Sequence, residues 1–110
     1  MEEFVGGDLV IVHFPFSDLS GAKKRPALVI KKLNGDDLII CQITSQKKRD
    51  KYAVSLKEED FLTGSLMMKS VVRPNRIFTA DKRIVLKKVG NVKPEKINEV
   101  VRAVIKIISN

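Results

Sequence analysis

Arg25 is the residue whose type and position first suggest chemistry. It stands in the segment KKRPALVI, residues 23–30, between two lysines and a run of apolar residues. Pro26 locks its own backbone, lacks an N–H donor and favours extended backbone at the residue before it, so Arg25 is predicted where a strand begins. A guanidinium stays charged at neutral pH and presents forked donors that match phosphate oxygens. The pattern therefore predicts an arginine aimed at a phosphate group.

The charge of the whole chain also points to an anionic partner. Its 110 residues include 21 Lys and Arg against 13 Asp and Glu, a formal net charge of +8. Nucleic acid and an anionic membrane surface are the two polyanions to consider. No stretch approaches the roughly 18 to 20 apolar residues that span a bilayer, and the start MEEFVGGD lacks a signal-peptide pattern. We therefore expect a cytoplasmic protein with no membrane partner.

Few residues are suited to metal or thiol chemistry. Cys41 and His13 are the single cysteine and the single histidine. A site of nitrogen and sulfur ligands is therefore nearly excluded, whereas an all-carboxylate magnesium site stays open. Cys41 lies in the apolar run LIICQI and is interpreted as core. We expect no metal and no cofactor.

Period-two alternation and β-branched residues predict strands along most of the chain. Between two of them, Asn34-Gly35 favours the type I′ turn of an antiparallel hairpin. Residues 57–66 are interpreted as an irregular turn or short helix, and residues 83–90 as a last strand or a helical turn. The predicted strands are residues 8–14, 26–32, 37–44, 52–56 and 67–73, with a short extended piece at 76–81.

The period changes near the C-terminus. From Pro94 the apolar residues recur on one face of an α-helix, with proline in its first turn. Six or so short strands and one terminal helix predict a mainly β (α+β) fold, a small SH3-like partial barrel of antiparallel strands in a single domain over residues 1–110.

The order of several motifs resembles the PemK/MazF family of toxin endoribonucleases. The motifs are GDLVIVHFPF from Gly7, Arg25-Pro26 leading a strand, Thr44-Ser45 ending the next, and SVVRPNRIFTADKRI over residues 70–84. The resemblance implies a CcdB-MazF-type barrel, a homodimer, and metal-independent cleavage of single-stranded RNA. It also implies that Arg25, Thr44 and Ser45 belong to the active site, and that Arg73 stands where the Kid toxin and other relatives carry a catalytic arginine.

The sequence departs from this family at two positions that carry protons. Leu19 and Ser20 stand near a His-Glu pair of several relatives, and Asn75 replaces an aspartate of Kid-like members. Cleavage by the ribose 2′-OH needs a base, an acid and charge stabilisation. Arginine is a poor base, so His13 and Asp18 are the candidates for acid or base, each with an alternative interpretation as a solvated or turn residue.

Two basic clusters flank these strand ends and are predicted to position RNA through its phosphates. Phe16, in an exposed turn, is the best candidate for stacking on a base. The predicted RNA-binding residues are Phe16, Lys23, Lys24, Gln46, Lys47, Lys48 and Arg49. The predicted inhibitor is an antitoxin with an acidic, disordered segment that would occupy the same groove. The alternative is a non-catalytic module, like the gyrase poison CcdB or a plain SH3-like domain, that binds a protein or nucleic acid.

Overall fold

The computed structural model describes residues 3–15, 22–45 and 50–109, and shows one antiparallel sheet followed by a helix. The seven strands lie in the order β4-β6-β3-β2-β1-β7-β5. The strands are β1 (Asp8–Pro15), β2 (Ala22–Lys32), β3 (Asp37–Thr44), β4 (Val54–Leu56), β5 (Phe61–Gly64), β6 (Ser70–Asp81) and β7 (Val85–Val92). Short 3₁₀ helices span Glu58–Asp60 and Lys82–Ile84, and α1 spans Pro94–Ile108. The extents of 32 × 32 × 30 Å are nearly equal, as expected for a sheet that curls into a half-barrel. The predicted fold class is confirmed.

The sheet buries apolar side chains on both faces. Leu28 and Cys41 of the sheet pack with Val100 of α1 in one buried cluster, so the face of the sheet that carries them is called the helix face. Val12, Ala27 and Val29 belong to a second cluster on the other side of the sheet, called here the inner face. Side chains alternate between these faces along each strand, so the register decides which residues can meet.

The C-terminal helix begins at Pro94 as predicted and lies against β4 and β6. Val100 is fully buried, whereas Ile105 and Ile108 are exposed. Within the described residues, no helix is long and apolar enough to cross a bilayer.

Lys96, also in α1, is a buried lysine. Its Nζ donates to the carbonyl oxygen of Ser55 and to Oε1 of Glu99, both at 2.9 Å, and lies 3.3 Å from Oδ2 of Asp60. This side chain therefore ties the helix to β4 and to the 3₁₀ helix that follows it.

The predicted hairpin of β2 and β3 is confirmed, but its loop is longer than a two-residue type I′ turn. The backbone N–H of Leu33 donates to the carbonyl of Asp37 at 2.9 Å, which leaves residues 34–36 as the loop. Gly35 has φ +76° and supplies the left-handed conformation. The carbonyl of Asp36 accepts from the N–H of Lys82 at 2.7 Å, so the loop is also fixed by the chain that follows β6.

Two expectations about residues 57–90 were wrong in part. Phe61–Gly64 is not a turn but strand β5, which pairs with β7. Residues 67–73 and 76–81 are not separate pieces, because Ser70–Asp81 is one continuous strand. A register shift between Cys41 and Gln42 of β3 accommodates the proline in the middle of β6.

The pairing of β5 with β7 depends on glycine at both partners. Gly64 lies opposite Gly90 and has φ +72°. A Cβ at Gly64 would stand 2.0 Å from the carbonyl oxygen of Val89, and one at Gly90 would stand 2.4 Å from that of Thr63. These two strands can therefore approach closely only because neither position carries a side chain.

Candidate active site

The register brings Arg25, Gln42, Thr44 and Arg73 to the inner face at one end of the sheet. Gln42 pairs with Ala27 on β2 and with Arg73 on β6. Arg25 precedes Ala27 by two residues and Thr44 follows Gln42 by two, so all four side chains share a face. Each of them is half-buried. We call these residues the Arg25 cluster.

Pro26 explains why Arg25 and Thr44 lie where two strands separate. The ladder between β2 and β3 ends at the pair Ala27 and Gln42, one residue after Pro26. The proline has no N–H to continue the ladder, although β1 still pairs with β2 through Arg25, opposite Val12. The strand begins at Ala22, earlier than predicted, so Arg25 lies within β2. Its backbone is extended, as predicted.

Arg73 is held by a carboxylate that the sequence did not reveal. Its Nε donates to Oδ2 of Asp50 at 2.9 Å, and the two side chains are 23% and 10% exposed. Oδ1 of Asp50 accepts from the backbone N–H of Tyr52, also at 2.9 Å. Both carboxylate oxygens are therefore engaged.

The charge on Asp50 is stabilised by these contacts. Burial raises the pKa of this carboxyl group, but the hydrogen bonds from Arg73 and Tyr52 and the charges of Arg73 and Arg76 outweigh it and lower its pKa overall. Asp50 is therefore ionised at neutral pH and balances part of the local positive charge.

A groove leads away from the end of β3 along β4. It has a volume of about 890 Å³, within the usual range of ligand sites. Thr44 and Ser45 line it together with Ser55 and Val71. The rest of its lining is mixed, with apolar residues, among them Leu66 and the exposed Met67 and Met68, and charged residues, Lys57, Glu58, Glu59 and Lys69. Thr44 therefore belongs to the Arg25 cluster and also lines a groove that could hold a chain segment.

The other predicted residues are distributed as follows. Lys23 and Lys24 are both exposed, and alternation places Lys23 on the same face as Arg25. His13 is exposed, pairs with Lys24, and follows Val12, so it lies on the helix face. The register does not bring His13 to the Arg25 cluster. Six predicted residues lie outside the described part of the chain: Phe16, Asp18, Gln46, Lys47, Lys48 and Arg49.

Cys41 is a core residue, as predicted. Its side chain is fully buried in the helix-face cluster. Burial raises the pKa of the thiol to about 12, so the reactive thiolate is scarce at neutral pH. Among the described residues, no group of three or more His, Cys, Asp or Glu side chains could hold a metal ion.

Gln42, Asp50 and Arg76 lie at the site but were not predicted from the sequence. Gln42 had a signal, because it is the polar residue within an apolar run and shares the period of Thr44. Arg76 is exposed, and its charge acts on Asp50. Asp50 had no local signal, because its partner lies 23 residues away in the chain.

A curled antiparallel sheet with one C-terminal helix is also the fold of known MazF proteins. MazF from Deinococcus radiodurans matches with a TM-score of 0.78 and 20% identity, covering 100% of both chains. A MazE-MazF structure from the same organism matches with a TM-score of 0.80 and 19% identity, covering 99% of this chain and 98% of that one. A mycobacterial endoribonuclease in complex with its cognate antitoxin gives 0.76 and 14%, with coverages of 97% and 96%.

The family follows from the sequence itself. Residues 6–108 match the family described as the PemK-like, MazF-like toxin of type II toxin-antitoxin systems. The chain belongs to this family, and the resemblance seen in its motifs is confirmed. No curated protein matches the chain significantly.

Proposed function

We propose that this toxin is an endoribonuclease that cleaves single-stranded RNA by attack of a ribose 2′-OH on the adjacent phosphate. The proposal is supported by the Arg25 cluster, in which two guanidinium groups and a threonine share one face of the sheet. The structural relatives include proteins described as endoribonucleases.

The reaction forms a bond from the 2′-oxygen to phosphorus and breaks the bond from phosphorus to the 5′-oxygen. The 2′-OH loses its proton, the 5′-oxygen gains one, and the products carry a 2′,3′-cyclic phosphate and a 5′-OH. Negative charge grows on the phosphate oxygens in the transition state. Arg25 and Arg73 stabilise that charge, and Thr44 or Ser45 donates a hydrogen bond that orients the phosphate.

The toxin makes three further interactions in this proposal: with the RNA backbone, which the charge of the surface supports, with an antitoxin, which the known complexes of relatives support, and with a second protomer. Exposed Lys23, on the same face as Arg25, guides the RNA backbone, as do the basic residues 47–49. Exposed Lys24, on the helix face beside His13, adds to the positive charge that attracts RNA. An antitoxin with an acidic segment competes for this surface and silences the enzyme, and relatives are known in complex with a cognate antitoxin. The toxin acts as a homodimer in the cytoplasm, where messenger RNA is available.

The test is cleavage of a long RNA by purified protein in the presence of EDTA, with the product ends mapped. We expect a limited set of cuts with 2′,3′-cyclic phosphate ends. Arg25→Ala should lower cleavage by on the order of 10²- to 10³-fold, because it removes a donor to the developing charge. The matched control is Arg102→Ala, which removes an exposed arginine of α1 and should cleave like wild type.

Two results would contradict the proposal. Cleavage that survives Arg25→Ala unchanged would indicate a contaminating ribonuclease, because such enzymes leave the same ends. RNA that stays intact with wild-type protein would favour a non-catalytic binding module.

A further inference from the structure

Asp50 holds Arg73 by one edge of its guanidinium. The contact runs from Nε to Oδ2 at 2.9 Å. Among the described residues, this is the hydrogen bond that fixes Arg73, and it leaves the terminal nitrogens Nη1 and Nη2 available. A guanidinium has five N–H donors in a rigid plane, so fixing Nε fixes the direction of the others.

The carboxylate itself is fixed by the local backbone. Oδ1 of Asp50 accepts from the N–H of Tyr52, and the carbonyl of Asp50 accepts from the N–H of Ala53 at 3.1 Å. This turn places the carboxylate against β6 just before strand β4 begins. Arg73 is thus held by a carboxylate that has little freedom of its own. Because Arg73 is already fixed, its side chain loses little conformational entropy when it binds a ligand.

The pair also lies close to the proposed substrate. Arg73 pairs with Gln42, next to Thr44 on the same face. The pair is largely withdrawn from water, and a buried ion pair contributes little net stability because desolvation offsets the attraction between its charges. The geometry of the pair is therefore more informative than its energy. The exposed Arg76 adds positive charge beside Asp50, and the carboxylate reduces repulsion between the two arginines.

We propose that Asp50 is a positioning residue that orients Arg73 so that its terminal nitrogens face the phosphate of bound RNA. The inference rests on the proposed endoribonuclease function. It assigns Asp50 no contact with the reacting atoms and no proton transfer. Asp50→Ala should release the guanidinium and lower kcat/KM by on the order of 10- to 100-fold, mostly through kcat.

The decisive test is a double-mutant cycle with Asp50→Ala and Arg73→Ala. If Asp50 acts only through Arg73, Asp50→Ala should have no further effect in the Arg73→Ala background. Additive losses would overturn the proposal. Asp50→Asn should recover part of the activity that Asp50→Ala loses, because its single amide oxygen can still accept from Nε, although the amide nitrogen cannot accept from the N–H of Tyr52. Its pH profile should keep the acid limb of wild type, whereas loss of that limb would make Asp50 the general base instead.

A second aspartate provides a matched structural control. Oδ1 of Asp81 accepts from the backbone N–H of Arg83, two residues on, and its carboxylate pairs with the guanidinium of Arg83, at the other end of β6. Asp81→Ala removes the same kind of turn and ion pair, so it should leave cleavage unchanged. If Asp81→Ala and Asp50→Ala lower cleavage equally, Asp50 has only a structural role.

A binding measurement with RNA that cannot be cleaved distinguishes failure of this inference from failure of the proposed function. The probe is a single-stranded oligonucleotide with 2′-O-methyl riboses, which binds but has no attacking hydroxyl. Asp50→Ala should raise its Kd by a smaller factor than it lowers kcat, and by no more than Arg73→Ala does, and this second limit applies even if wild-type protein cleaves no RNA. Cleavage that depends on Arg25 but not on Asp50 would overturn only the present inference. Absence of both cleavage and binding would overturn the two together.

Discussion

Replacing Lys96 with methionine should destabilise the protein by about 2 to 3 kcal/mol. The side chain is 10% exposed and its Nζ bonds the carbonyl of Ser55 and the carboxylates of Asp60 and Glu99. Glu99 is half exposed, so its pair contributes only about 0.3–0.5 kcal/mol. Hydrogen bonds to charged groups contribute roughly 1.5–3 kcal/mol each, and part of this is offset because the ammonium no longer has to be desolvated.

Methionine isolates the loss of the charge because it retains the apolar stem of the lysine. The assay is urea unfolding followed by circular dichroism, with the m-value unchanged. For a chain of this size the same loss should lower Tm by about 8–12 °C. The matched control is Arg102→Met, which removes an exposed cation from the same helix and should change stability by less than about 0.5 kcal/mol. Equal effects of the two substitutions would refute the reasoning.

The same contacts predict how this difference depends on pH. Burial lowers the pKa of Lys96, but hydrogen bonds from its ammonium to Glu99 and Asp60, with their charges, outweigh it and raise the pKa above its ordinary value of 10.5. A raised folded-state pKa gives stabilisation that is complete below the unfolded value and is lost as the pH rises through the folded value. The gap between wild type and Lys96→Met should therefore be constant from pH 6 to about 9 and shrink above 10.5.

Two further predictions follow from the packing. Gly64→Ala should destabilise by more than about 2 kcal/mol in the same urea assay, because its Cβ would strike the carbonyl of Val89 and its φ is +72°. Gly35→Ala, with φ +76° and open space around it, should cost only about 1 kcal/mol, and equal losses would argue against the close approach of β5 and β7. Cys41 should be inert to a thiol reagent at pH 8 and react fully in urea, because it is buried and its pKa is raised to about 12; rapid labelling of folded protein would contradict this placement.

The elements that were predictable from sequence have local causes. Strand β3 was predicted with its observed limits, Asp37–Thr44, because alternating apolar residues continue up to a turn signal. The start of α1 was also predictable, because Pro94 is suited to the first helical turn and the apolar period changes there. Strand β5 has no such cause, since Phe61–Gly64 is extended only through its pairing with β7, far along the chain.

The same distinction between local and distant causes holds for the residues of the candidate site. Arg25 and Thr44 follow from one hairpin: a register that pairs Ala27 with Gln42 sets both residues at the same end of the same face. The position of Asp50 could not be predicted, because nothing in the sequence near residue 50 indicates that the chain returns to Arg73.

The choice of arginine on β6 shows why even a correct strand assignment does not suffice. Cys41 pairs with Ile77, and an unbroken antiparallel register would then set Gln42 opposite Arg76. The observed partner is Arg73, because the register shift lets residues 74–76 bulge out of the ladder. Pro74, which cannot donate to a ladder, lies fully buried in that bulge. The bulge thus selects Arg73 for the inner face and leaves Arg76 exposed. Both arginines are present in the sequence, but only the three-dimensional register decides which of them shares the inner face with Arg25 and Thr44.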